Sequence, residues 1–135
     1  MISRNSSCPC GSGNKYKKCC QPFHKGKLAK TALELMRSRY SAYVVSLPKY
    51  IIKTTHKDNQ DFTNDLKQWE NEILHFCHNY TFEKLTILEY SEKKDDTIAF
   101  VKFQANISLN TEDHSFIEHS IFKKVNDHWL YHSAK

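Results

Sequence analysis

The stretch "TIAFVKFQANISL", residues 97–109, decides the fold class. Ala99, Val101, Phe103, Ala105, Ile107 and Leu109 occupy alternate positions. Successive strand side chains point to opposite faces, so this spacing predicts a long strand with one apolar face. Upstream, "FEKLTILEY" (82–90) reads as another strand. Downstream, "HSFIEHSIFKKV" (114–125) and "HWLYHS" (128–133) read as two more, joined by the turn signal "NDH". Ahead of the strands the period changes. Leu33, Met36, Tyr40, Tyr43, Val44 and Leu47 form one helical stripe, and Leu66, Trp69, Ile73, Phe76, Cys77 and Tyr80 another. Between them "PKYIIKTTH" (48–56) reads as a short helix, with Pro48 in the first turn, where its missing N–H costs nothing. Helices first and consecutive strands afterwards predict an α+β fold, the helices packed on one face of an antiparallel sheet.

The N-terminal segment is of another kind. All three glycines (Gly11, Gly13, Gly26) and two of three prolines precede residue 27, so it is built of turns. "CPCGSGNKYKKCC" (8–20) holds four of the five cysteines as two close pairs eight residues apart. Zinc takes about four soft or borderline ligands in a tetrahedron, and two pairs joined by a glycine-bearing loop can supply them. A disulfide knot is the competing reading. It is disfavoured if the compartment is reducing, and the N-terminus "MISRNSSCPC" lacks the apolar core of a secretory signal, which makes the cytoplasm the expected location. The C-x-x-C redox spacing is absent. On spacing alone His24 stands as an alternative fourth ligand, because adjacent ligands at Cys19 and Cys20 look geometrically awkward.

The thirteen residues of "CPCGSGNKYKKCC" resemble the SEC-C motif, C-P-C-G-S-G-x-K-Y-K-x-C-[CH], found at the C-terminus of the SecA translocase ATPase and in many bacterial proteins. The resemblance implies that Cys8, Cys10, Cys19 and Cys20 bind zinc. "LMRSRYSAYV", "YIIKTTH" and "IEHSIFKKVNDHWLY" are similar to segments of the YchJ-like bacterial proteins. In these an N-terminal SEC-C motif precedes a nuclear-transport-factor-2-like (NTF2-like, cystatin-like) domain with a curved antiparallel sheet. The resemblance therefore implies a zinc-binding motif over residues 1–26 and an NTF2-like domain over 27–135. Such proteins often carry a second SEC-C motif after this domain, and none is read here. The expected core, through Leu33, Met36, Trp69, Val101 and Phe103, lies outside the cysteine cluster, so removing residues 1–22 is expected to leave a folded domain.

Composition narrows the functions. Of 135 residues 39% are hydrophobic and 26% charged, an ordinary globular balance, and no apolar run approaches the roughly twenty residues of a membrane span. The net charge of +5 is uneven: residues 1–33 hold seven basic residues and no acid, and the remainder holds 13 basic against 15 acidic. Lys15, Tyr16, Lys17 and Lys18, a basic run with one aromatic, are the candidates for contact with an acidic protein surface or with RNA or the ribosome. The other readings are a solvated basic loop and lysines that offset thiolate charge. No phosphate-binding P-loop, G-x-G-x-x-G or H-E-x-x-H motif is present.

NTF2-like domains often leave a conical pocket between sheet and helices, and fold alone does not decide between catalysis and binding. The polar candidates for such a pocket are Arg39 and Tyr43 on the first long helix, His56 at the end of the second, and Glu118 and Ser120 on the third strand. Phe116, Glu118, Ser120 and Phe122 share one face of that strand, and Ile117, His119 and Ile121 the other, which predicts partial cover on both faces. His75 and His78 are expected to face solvent, and Cys77 to be a small core residue. These features predict a zinc-binding adaptor whose basic knuckle docks on an acidic partner, with an enzyme or small-ligand-binding protein using the α+β pocket as the alternative. A pocket filled by its own aromatics favours the adaptor, and a roomy one with convergent polar groups favours the alternative.

Overall fold

The structure, a computed structural model, describes residues 2–93 and 95–135. Among these residues a 3-10 turn, Tyr16–Lys18, leads into four helices: α1 (Gln21–His24), α2 (Ala32–Val44), α3 (Pro48–Lys53) and α4 (Leu66–Asn79). Five strands follow: β1 (Thr81–Ser91), β2 (Ile98–Leu109), β3 (Glu112–Asp113), β4 (Phe116–Val125) and β5 (His128–Ala134). The main strands lie in the order β1-β2-β4-β5, every pair antiparallel, with the short β3 beside β2. This is the expected α+β architecture.

Local chemistry explains the boundaries. Thr31 caps α2, its Oγ1 accepting from Glu34 N at 3.1 Å, while Glu34 Oε1 accepts from Lys30 N at 2.8 Å. Asp65 caps α4 in the same way, accepting from Gln68 N at 3.2 Å. Pro48 opens α3. The β4–β5 hairpin turns on Asn126 and Asp127, with φ of 51° and 64°. Both lie in the left-handed region that two-residue hairpin turns require and that Asn and Asp tolerate.

Ala99, Val101, Phe103, Ala105 and Ile107 of β2 are buried against α2, as the alternation requires. The core does not stop there. Cys8, Cys10, Tyr16 and Cys20 belong to the same buried cluster as Leu35, Met36, Tyr40, Val101 and Phe103. Expecting a core wholly outside the cysteine segment was therefore wrong. Turns alone cannot enclose four sulfurs, so α2 and the sheet close the site from one side. Arg37 Nη1 donates to Cys10 O at 2.8 Å and fastens the segment to α2.

Two further expectations need correction. Helix α3 ends at Lys53 rather than running to His56. Residues 54–56 instead run beside β5, with Tyr131 N donating to Thr54 O and His56 N to Tyr131 O, both at 2.8 Å. The outer face of the sheet is also barely covered, since Ile98, Phe100 and Ile117 are 43%, 44% and 55% exposed. Helix α2 packs on the other face, against β1, β2 and β5.

Candidate metal centre and pocket

The glycines at 11 and 13 adopt φ of 80° and 88°, which folds the loop back so that the second cysteine pair meets the first. Cys8, Cys10, Cys19 and Cys20 bring their sulfurs within 4.8 Å of one another. Cys10 and Cys19 Sγ lie 3.6 Å apart, and Cys19 and Cys20 Sγ 4.0 Å. A tetrahedral ion with ligand bonds near 2.3 Å sets its sulfurs about 3.8 Å apart, so the cluster is compatible with one metal ion held by all four. The adjacent pair is no obstacle, because Cys19 has an unusual backbone (φ −123°, ψ −96°) that turns its side chain toward the same point as that of Cys20.

The electrostatics agree. Packed this closely, the sulfurs cannot all be charged without a cation among them. Hydrogen bonds from the Cys20 and Cys8 thiols hold Cys10 far below the usual thiol range, and Cys20, as donor, is pushed far above it. Ser41 Oγ at 3.5 Å from Cys8 Sγ and Ser12 Oγ at 3.1 Å from Cys19 Sγ place hydroxyls within hydrogen-bond reach of the cluster.

His24 is not a ligand. Its Nε2–H donates to Ser38 O at 2.8 Å, and its Nδ1 accepts from the Tyr16 hydroxyl at 2.6 Å. Both ring nitrogens are spent, in one neutral tautomer, and burial lowers its pKa accordingly. The chain Tyr16–His24–Ser38 is a second fastening between the cysteine segment and α2. It also corrects the reading of Tyr16 as a partner-contacting aromatic, since Tyr16 is 7% exposed and buried in the core. Lys15 and Lys18 are exposed and Lys17 partly so.

Beneath α2 a cavity of about 160 Å³ opens onto the inner face of the sheet. Arg39, Tyr43, Glu118 and Ser120 line it, together with Tyr131 and an aromatic wall that includes Phe76, Phe82, Phe103 and Phe116. Glu118 Oε2 accepts from Ser120 Oγ at 2.6 Å and from the Tyr131 hydroxyl at 2.9 Å. Burial and the neighbouring Glu118 raise the Tyr131 pKa, which keeps this hydroxyl a donor. Arg39 Nη1 donates to Ile51 O, Thr54 Oγ1 and Thr55 Oγ1 at 3.0, 2.7 and 3.2 Å, and its guanidinium stacks 4.8 Å from the centre of the Tyr131 ring.

His56 is not in this cavity. The pairing of residues 54–56 with β5 carries it out of the cavity lining, and its ring packs 4.9 Å from that of His132. His56, Asp58 and His132 form a small cluster there, but His56 Nδ1 already accepts from Asp58 N at 3.0 Å. His75 and His78 face solvent on α4, and Cys77 is buried in a second apolar cluster with Trp69 and Ile73. Sequence reasoning missed Tyr131. Its only signal was alternation with the buried Trp129 in "HWLYHS".

Comparison with known proteins agrees with this architecture. The SEC-C motif matches residues 4–22, and the family described as "YchJ, middle NTF2-like domain" matches residues 31–134. A UPF0225 protein of Pectobacterium carotovorum is 36% identical over 132 residues, covering 94% of this chain and 81% of its own. One from Actinobacillus succinogenes is 34% identical, covering 92% and 78%. A SEC-C motif containing protein from Rhodopseudomonas palustris superposes with a TM-score of 0.81 at 29% identity, covering 95% of this chain and 96% of that one. Another from Psychrobacter arcticus gives 0.79 at 30% identity, covering 97% and 82%. An NTF2-like protein of unknown function from Shewanella oneidensis, 14% identical with a TM-score of 0.52, covering 76% and 92%, shares the fold alone. The chain belongs to the YchJ family, in which a SEC-C motif is joined to an NTF2-like domain.

Proposed function

We propose that this protein binds a small molecule in its NTF2-like domain, and that a structural zinc ion holds the N-terminal segment against that domain. The observation that carries the first part is the cavity: it is not filled by its own aromatics, and Arg39, Glu118, Ser120 and Tyr131 converge on it. Its volume is close to the roughly 150 Å³ of an apolar cavity that admits benzene, which sets the ligand at about one ring. Zinc is preferred for the cysteine site because four thiolates in a tetrahedron suit it, and a closed set of four protein ligands leaves no open position for catalysis. A reducing cytoplasm would keep these sulfurs available. A screen of ring-sized fragments by protein NMR tests the reading. Hits should move the signals of Phe103, Ala105 and Ser120, and Ala105→Leu, which projects into the cavity, should abolish them. If no fragment reaches these residues the reading is wrong.

A second reading rests on a separate observation. Residues 1–33 carry no acid, and Lys15 and Lys18 are exposed on the loop between the two cysteine pairs. A metal-held loop fixes such charges at little further entropic cost, which suits contact with an acidic protein surface or RNA. The two roles are compatible, because the loop and the cavity involve different residues.

A further inference from the structure

We infer that the ligand of the cavity is a carboxylate with a small apolar body, anchored by Arg39. This rests on the cavity being a ligand site. Arg39 is 8% exposed, yet among the described residues it has no ion-pair partner; the pairs found are His56–Asp58 and His114–Glu112. The carboxylate that shares the cavity, Glu118, takes its bonds from Ser120 and Tyr131 instead. A buried guanidinium with no ion-pair partner is costly, and the Tyr131 ring offsets only part of that cost.

The way Arg39 is held points to what completes it. All three of its protein bonds leave from Nη1. The Nε–H and the two Nη2–H groups have no partner among the described residues. They are not sealed off either, because among the described residues the one fully enclosed side-chain nitrogen or oxygen without a partner is Trp129 Nε1. Nε and Nη2 form the edge of a guanidinium that grips a carboxylate with two parallel hydrogen bonds. The Ile51, Thr54 and Thr55 acceptors hold the other edge, so the side chain is oriented before a ligand arrives. The rest of the wall is largely apolar, with Phe103 and Phe116 facing each other edge to face at 6.1 Å. A bare inorganic anion would leave that surface uncovered. An organic acid of one ring satisfies both parts.

The test is an NMR titration of the metal-loaded full chain with benzoate, its neutral isosteres benzamide and toluene, and inorganic phosphate. Benzoate should shift the Arg39 side-chain and Phe103 signals and bind at least tenfold more tightly than benzamide or phosphate. Arg39→Lys, which keeps the charge but not the fork, should lose most of that preference. Arg39→Met also removes the brace on residues 51–55 and can unfold the chain, so the selectivity of the unaltered protein is the primary readout. Equal binding of benzoate and a neutral isostere overturns the carboxylate assignment while leaving a ligand cavity. Phosphate binding as tightly as benzoate overturns it too. If none of the probes shifts the cavity signals, both the assignment and the cavity reading fail.

Discussion

Stripping the metal should unfold the whole chain, not only its first twenty residues. The magnitude follows from what residues 8–24 contribute to the two apolar clusters of the fold. Tyr16 and Phe23 are both nearly buried, and each is worth about 1.5–3 kcal/mol. The bond from the Arg37 guanidinium to Cys10 O adds about 1.5–3 kcal/mol, and that from His24 to Ser38 O about 1 kcal/mol. Together these reach about 5–10 kcal/mol, against a total stability of about 5–15 kcal/mol for a domain of this kind. Losing them should lower the melting temperature by at least about 15 °C, or leave no folded baseline. The perturbation is chelation under reducing conditions, with Cys20→Ser as its genetic counterpart. The assay is thermal melting followed by far-UV circular dichroism and by tryptophan fluorescence. Both probes should report one transition and shift together. An apo protein melting within about 2 °C of the metal-loaded one would refute the reasoning. So would a small early transition followed by an unchanged main one, which would show the segment to be an independent appendage after all.

Other outcomes are open to measurement. Reversing Lys15, Lys17 and Lys18 to glutamate should leave metal content intact while weakening capture of acidic partners and flattening its salt dependence; an unchanged partner set would show the loop to be merely solvated. Asp127→Gly should stabilise the chain by about 0.5–1 kcal/mol in chemical denaturation, because Asp127 has a φ of 64° that glycine adopts freely; a loss of stability would contradict the assigned turn. His24 is neutral in the fold with a pKa below its ordinary 6.5. The unfolded chain then takes up its proton first, so stability should fall as pH drops below about 6.5, by up to about 1.4 kcal/mol per unit. His24→Gln should flatten that part of the pH profile, and identical slopes would count against the buried neutral tautomer.

Much of this architecture was legible because it follows from periodicity. The alternation in residues 97–109 places β2, and the stripes around Met36 and Trp69 place α2 and α4. The cysteine cluster was legible because two short pairs around glycines have few other uses. What escaped depends on contacts distant in sequence. Nothing near Tyr16 shows that its hydroxyl meets His24 and its ring enters the main core. The end of α3 is set by pairing with β5, more than seventy residues later, and that pairing carries His56 out of the cavity and brings Thr54 and Thr55 to Arg39. Tyr131 was missed for the same reason. Its position depends on a register shift in the β4–β5 pairing between Ile121 and Phe122, which no local pattern announces.

The central claim, a metal-locked fold carrying a ligand cavity, is tested most directly by diffraction from benzoate-soaked crystals recorded at the zinc absorption edge. The account predicts one anomalous peak about 2.3 Å from the sulfurs of Cys8, Cys10, Cys19 and Cys20. It also predicts ring-shaped density inside the cavity, against Phe103 and Phe116, with its carboxylate on Nε and Nη2 of Arg39. Sulfur–sulfur bonds in place of the peak, or a cavity closed by its own aromatic side chains, would contradict it.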